Sequence, residues 1–129
     1  MLDITNSEPI KTQAAIDDFI QYLAEQGKHC KTVTAYSSDL AVVLLCFEPD
    51  ALIEQFTLSR IGKFLKSDTL LYKRTGQPRS IVGQERIVRV FRQFLIWCEQ
   101  QKYFERAPVP NAMLVYKAAL LSDRDGTTS

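Results

Sequence analysis

The stretch from Arg79 to Gln100 limits the possible folds more than any other part of the chain. It runs without proline, and at the helical period Gln84, Ile87, Val88, Phe91, Phe94, Leu95 and Cys98 fall in one wide stripe, with Arg86, Arg89 and Gln93 opposite. One face requires a core and the other suits water or a polyanion. Val90 and Trp97 share a flank outside the main stripe, placed to cover the C-terminal segment or to meet a neighbouring protomer. Ser80 is the N-cap residue, and Gln84 and Glu85 suit the first turn. Gly83 is the weak position, costing roughly 1 kcal/mol against alanine in a helix interior and less in a first turn.

The remaining segments supply partners for this helix. Residues 1–10 read as a flexible lead, because Pro9 discourages helix before it. From Thr12 to Gln26, Ile16, Phe19, Ile20 and Leu23 recur at spacings of three and four, and Gly27 stands where a helix C-terminus favours glycine. A second helix is expected from Thr32 to Phe47, with Val33, Tyr36, Leu40, Val43 and Leu44 along one stripe and Pro49 beyond its end. Tyr36 belongs to the core, its hydroxyl reaching a partner at the edge. Asp50 to Phe56 allows a brief turn of helix. Thr57 then caps a third helix to about Lys66, with Ile61, Phe64 and Leu65 inward and Arg60, Lys63 and Lys66 outward. Leu70, Leu71 and Tyr72 would anchor the next segment. Lys73-Arg-Thr-Gly-Gln-Pro-Arg79 is a basic loop or the tip of a hairpin. After the long helix, Tyr103 and Phe104 are expected to fold back over its end, and Pro108 and Pro110 mark a domain edge. The expected architecture is all-α, a small bundle of four main helices over residues 11–110. A short fifth helix from Met113 to Leu121 lies in the C-terminal segment, residues 111–129.

A chain of 129 residues, 46% hydrophobic and 24% charged, has the length and composition of one folded domain rather than a disordered segment. No apolar run approaches the roughly 20 residues needed to span a bilayer, and the first residues lack the pattern of a secretory signal, so a cytoplasmic, membrane-free protein is expected. Cys30, Cys46 and Cys98 form no CxxC pair, which supports neither zinc nor a disulfide framework; Cys46 and Cys98 read as small hydrophobes. The net charge of +1 hides a strong polarity. Between Arg60 and Arg92, nine basic residues face two acidic ones, a local charge of +7, while the rest of the chain carries −6. Such a molecule can present a positive face to phosphates, although charge runs are as often solvated helix faces. Lys28, His29 and Lys31 add a second basic cluster where the dipole of the second helix already favours an anion.

The sequence holds no GxxxxGK[ST] loop, no GxGxxG, no GxSxG and no HExxH. With His29 as the single histidine, a Ser-His-Asp or Cys-His centre has little to be built from. No catalytic residue and no cofactor are assigned, and an enzyme is not expected from these residues.

Four ordered segments resemble the N-terminal core-binding domain of tyrosine recombinases, the phage integrase family. Thr32-Val-Thr-Ala-Tyr36 followed by Leu40 is similar to that family's Thr-x-x-x-Tyr-x-x-x-Leu second helix, after a first helix ending in a glycine link. Pro78-Arg-Ser-Ile81 with Arg89-Val-Phe-Arg-Gln-Phe-Leu-Ile-Trp97 is similar to its fourth helix, and Tyr103 to Pro110 to its aromatic and proline exit. The resemblance spans about residues 11 to 110. It implies a small SAM-like bundle forming one jaw of a clamp on double-stranded DNA, with recombination carried out by a separate catalytic domain and with other protomers bound to the same DNA. The family's His-x-x-Arg pair is absent, since His29 is followed by Cys30-Lys31-Thr32, and Tyr103 and Tyr116 lack the partners of its nucleophile. The chain thus resembles a fragment, or a relative without catalysis.

The resemblance also implies that the second and fourth helices face DNA. Expected contacts are Lys28, His29, Lys31 and Thr32 at the second helix's start, Lys73, Arg74 and Arg79 from the loop, and Ser80, Gln84, Arg86 and Arg89 from the long helix. Most would touch phosphates, with Gln84 or Arg86 reading bases. The competing reading is a helical protein–protein interaction module that binds no nucleic acid.

Overall fold

A computed structural model describes residues 10–47, 51–110 and 113. Among them the chain is all-α, with five helices: α1 (Thr12–Glu25), α2 (Cys30–Cys46), α3 (Leu58–Leu65), α4 (Asp68–Leu71) and α5 (Ile81–Gln100), plus a 3-10 turn at Ile53–Gln55. Four are long and α4 is a single turn, so the expected bundle of four main helices is present. The expected lead, apart from Ile10, and the expected helix beyond Met113 lie outside the described residues. Met113 itself is buried.

Local chemistry accounts for most of the boundaries. Thr57, Ser67 and Ser80 cap α3, α4 and α5, each side chain accepting a backbone N–H in the first turn. The α2 helix starts two residues earlier than the sequence pattern indicates. His29 Nδ1 accepts from the Lys31 N–H at 3.0 Å, so histidine acts as the cap and Cys30 and Lys31 join the helix. At the other end of α1, Gly27 adopts φ +84°, with Gly27 N–H donating to Ala24 O at 3.1 Å and Lys28 N–H to Leu23 O at 3.3 Å. Both bonds satisfy carbonyls left over at a helix end. The α5 helix closes in the same way, Lys102 N–H donating to Glu99 O at 2.9 Å and Tyr103 N–H to Cys98 O at 2.9 Å, but here a lysine occupies the left-handed conformation at φ +67°.

The long helix organises two aromatic clusters. In its middle, Phe91 lies 5.4 Å from Phe64 edge-on and 5.9 Å from both Phe47 and Phe56, whose own rings stack at 4.3 Å. This joins the end of α2, the 3-10 turn and α3 to α5. Further along, Phe19 of α1 meets Phe94 at 5.6 Å and Trp97 at 5.4 Å, and Tyr103 turns back onto Trp97 at 5.9 Å. Such ring pairs contribute about 0.5–1.5 kcal/mol each beyond the area they bury. Val90 and Trp97 are therefore buried in the bundle, Trp97 against α1 and the exit segment. The first helix is tied at its start as well: Thr12 Oγ1 and Thr12 N–H both donate to Ala51 O at 2.8 Å, and Ile53 N–H donates to Ile10 O at 2.8 Å.

Candidate nucleic-acid interface

Burying one stripe of α5 forces the other outward. Val82, Arg86, Arg89, Gln93 and Ile96 follow one another at steps of four and three and are all exposed. Alongside them runs α2, held by two polar links. Tyr36 O–H donates to Gln93 Oε1 at 2.9 Å, the edge partner expected of a tyrosine on that flank. Arg86 Nε donates to both Asp39 oxygens, at 3.2 Å and 3.1 Å. Moving from Tyr36 to Asp39 on α2 means moving back from Gln93 to Arg86 on α5. The start of α2 thus points toward the C-terminal half of α5, where Tyr22 of α1 also packs on Trp97 at 5.8 Å.

This direction separates the two basic clusters. Lys28, His29, Lys31 and Thr32 are exposed at the start of α2, toward the C-terminal end of α5. His29 is spoken for at Nδ1, which leaves Nε2 as its donor. Lys73 and Arg74 are exposed on the loop that enters the N-terminal end of α5. That loop is a tight reversal closed by one isolated antiparallel bridge between Tyr72 and Pro78, with Lys73 N–H donating to Gln77 O at 2.8 Å and Gly76 N–H to Lys73 O at 2.9 Å. The 20 residues of α5 place the two clusters about 30 Å apart at 1.5 Å per residue. Arg89 stands between them, and its side chain hydrogen-bonds none of the described residues.

Three of the expected contact residues carry structural roles. Gln84 is 5% exposed and its Nε2 donates to Arg79 O at 2.9 Å, so it cannot reach a base edge. Its position on the apolar stripe was the signal for that. Arg79 is half-buried: Nε donates to Leu70 O at 2.9 Å, and Nη2 to Thr69 O and Tyr72 O, both at 3.1 Å. It caps the carbonyl end of α4 and is not an arm free to meet a phosphate. Ser80 Oγ accepts from Gly83 N–H at 3.0 Å as the α5 cap. Asp39 was not singled out by periodicity, yet it is 3% exposed and faces the half-exposed side chain of Arg86. Asp39 is the one acidic residue of α2 and stands directly before the apolar run Leu40 to Leu45, which is the signal that could have found it.

An acidic and aromatic cleft lies at the C-terminal end of α5. Asp18, Tyr22, Glu25, Trp97 and Tyr103 line a cleft of about 340 Å³ between α1 and the end of α5. Burial, then the Asp18 carboxylate that accepts from Tyr103 O–H at 3.3 Å, push the tyrosine pKa up. Cys98 is buried and its thiol is pushed up by desolvation, Cys46 is half-buried and shifted the same way, and Cys30 is exposed. Among the described residues, no group of three or more His, Cys, Asp or Glu could hold a metal ion, and no helix is long and apolar enough to cross a membrane. Compared with protein-family models, curated proteins and solved structures, the chain matches none.

Proposed function

We propose that this chain is a duplex-DNA-binding module of the kind that tyrosine recombinases use as a core-binding domain, gripping DNA for recombination by a catalytic domain outside these residues. The observation that carries the reading is the exposed α5 stripe with Arg89 at its centre and exposed cations toward both ends. Their separation of about 30 Å is close to one turn of B-DNA, about 34 Å, so the two clusters can meet phosphates flanking a single major groove occupied by α5. Val82, 72% exposed, and Ile96, 42% exposed, supply apolar contacts of the type thymine methyl groups accept.

The test is fluorescence anisotropy with a duplex of about 30 base pairs. If Lys28, Lys31, Lys73, Arg74 and Arg89 each displace a counterion, log K falls with log[salt] at a slope of about −4.5, a loss of roughly 500-fold between about 50 and 200 mM salt. Arg89→Glu in a folded variant weakens binding at every sequence. Absence of binding at the lower salt would sink the reading. The acidic-aromatic cleft favours a second reading, in which a basic side chain of a protein partner enters between Trp97 and Asp18. That reading requires an association lost on Asp18→Asn and untouched by Arg89→Glu.

A further inference from the structure

We infer that Asp39 is a positioning residue that makes Arg86 a reader of guanine, an assignment resting on the DNA-binding reading above. The guanidinium is anchored through a single nitrogen: Nε meets both oxygens of a carboxylate that is itself 3% exposed. Neither Nη group hydrogen-bonds a described residue, and the Arg86 side chain is 50% exposed. Two Nη groups are thus held at the surface in a plane whose orientation the buried aspartate sets. A planar fork of this kind fits a pair of adjacent acceptors, either the N7 and O6 edge of guanine or two oxygens of a phosphate.

Charge decides between these sources. Pairing with Asp39 cancels most of the arginine's net charge, which weakens attraction to a phosphate but leaves the hydrogen-bond fork intact. Guanine's edge is uncharged and needs the fork alone. Arg89, one turn along the same exposed stripe, has no carboxylate partner among the described residues and is suited to the phosphate role. Two arginines three residues apart therefore divide the work, Arg86 carrying discrimination and Arg89 carrying salt-dependent affinity.

The experiment selects binding sites from a randomised pool of 30-base-pair duplexes with the wild-type chain, then measures the selected duplex with guanine or 7-deazaguanine, which lacks N7. The expected results are a fixed guanine in the selected sites and about tenfold weaker binding to the 7-deaza duplex. Asp39→Asn, which keeps the shape and removes the carboxylate charge, loses the guanine preference while general binding is retained or rises and the salt slope steepens. A merely structural role for Asp39 would not raise general binding. Arg86→Lys keeps the charge without the fork; it loses the guanine preference at an unchanged slope and carries the test should Asp39→Asn fail to fold. The inference is overturned if selected sites lack a fixed guanine, if folded Asp39→Asn or Arg86→Lys keeps the preference, or if Arg86→Ala flattens the salt slope with no response to 7-deazaguanine, the signature of a phosphate contact. A wild-type chain that binds no duplex at low salt overturns the DNA reading itself, a result distinct from bound DNA without guanine discrimination.

Discussion

Replacing Arg79 separates a structural role from a DNA-binding one. Its guanidinium makes two part-buried bonds, to Leu70 O at 2.9 Å and Thr69 O at 3.1 Å, and one exposed bond to Tyr72 O at 3.1 Å. Hydrogen bonds with a charged partner contribute about 1.5–3 kcal/mol each when desolvated. Taking the lower figure for the two part-buried bonds and little for the exposed one, Arg79→Ala should destabilise the fold by about 3 kcal/mol. The freed carbonyls belong to α4, which at 4 residues is too short to satisfy them internally. For a domain of this size 1 kcal/mol corresponds to about 4 °C, so the melting temperature should fall by about 12 °C. Arg79→Lys, with one donor group in place of the fork, should recover less than half of that. Calorimetry and urea unfolding measure the stability, and anisotropy on duplex DNA measures the other role. An Arg79→Ala variant that melts with the wild type but binds DNA far more weakly would refute the assignment.

Two further predictions concern stability. Lys102 occupies the left-handed region at φ +67° in the motif that ends α5, where an L side chain costs about 1–2 kcal/mol. Lys102→Gly should therefore stabilise the chain by about 1 kcal/mol in urea unfolding, and a loss of stability would contradict the geometry. Alkaline pH should unfold the bundle, because Cys98 and Tyr103 hold their protons more tightly folded than unfolded, from reference values of 9.0 and 10.0. Raised folded pKa values give a contribution that is complete below the reference values and is lost as pH rises toward the folded ones; for the buried Cys98 the loss begins near pH 9.0 at up to about 1.4 kcal/mol per pH unit, while the more exposed Tyr103 adds little because solvent screens it. Cys98→Ala should flatten the loss between about pH 9 and pH 10.5, and an unchanged slope would reject the thiol as its source.

Periodicity made the helices legible because it is a local property: an apolar residue every three or four positions marks a buried stripe whatever the partner. Side-chain oxygens at Thr57 and Ser80, and the glycine at position 27, marked their ends for equally local reasons. Tyr36 could be placed at the edge of the core, since its ring follows the stripe and its hydroxyl needs a partner. That the partner is Gln93, 57 residues away, is a fact of packing. The same limit explains Gln84 and Arg79. Polar residues near a basic loop look available to a ligand until the backbone carbonyls they serve are in place. Val90 and Trp97 lay outside the stripe because a helix packed on two sides buries more than one face.

The sequence by itself determined an all-α bundle, the helix ends at Gly27, Thr57 and Ser80, the main apolar stripes and a chain whose positive charge is concentrated between Arg60 and Arg92. The tertiary structure alone decided which cations are engaged among the described residues and which stand exposed. It turned Arg79 inward onto α4, set Arg86 on a buried aspartate contributed by another helix, left Arg89 without a partner among the described residues, and directed the start of α2 away from the basic loop. Each depends on where a distant carbonyl or carboxylate comes to rest, and a one-dimensional pattern of charge carries no information about that distance.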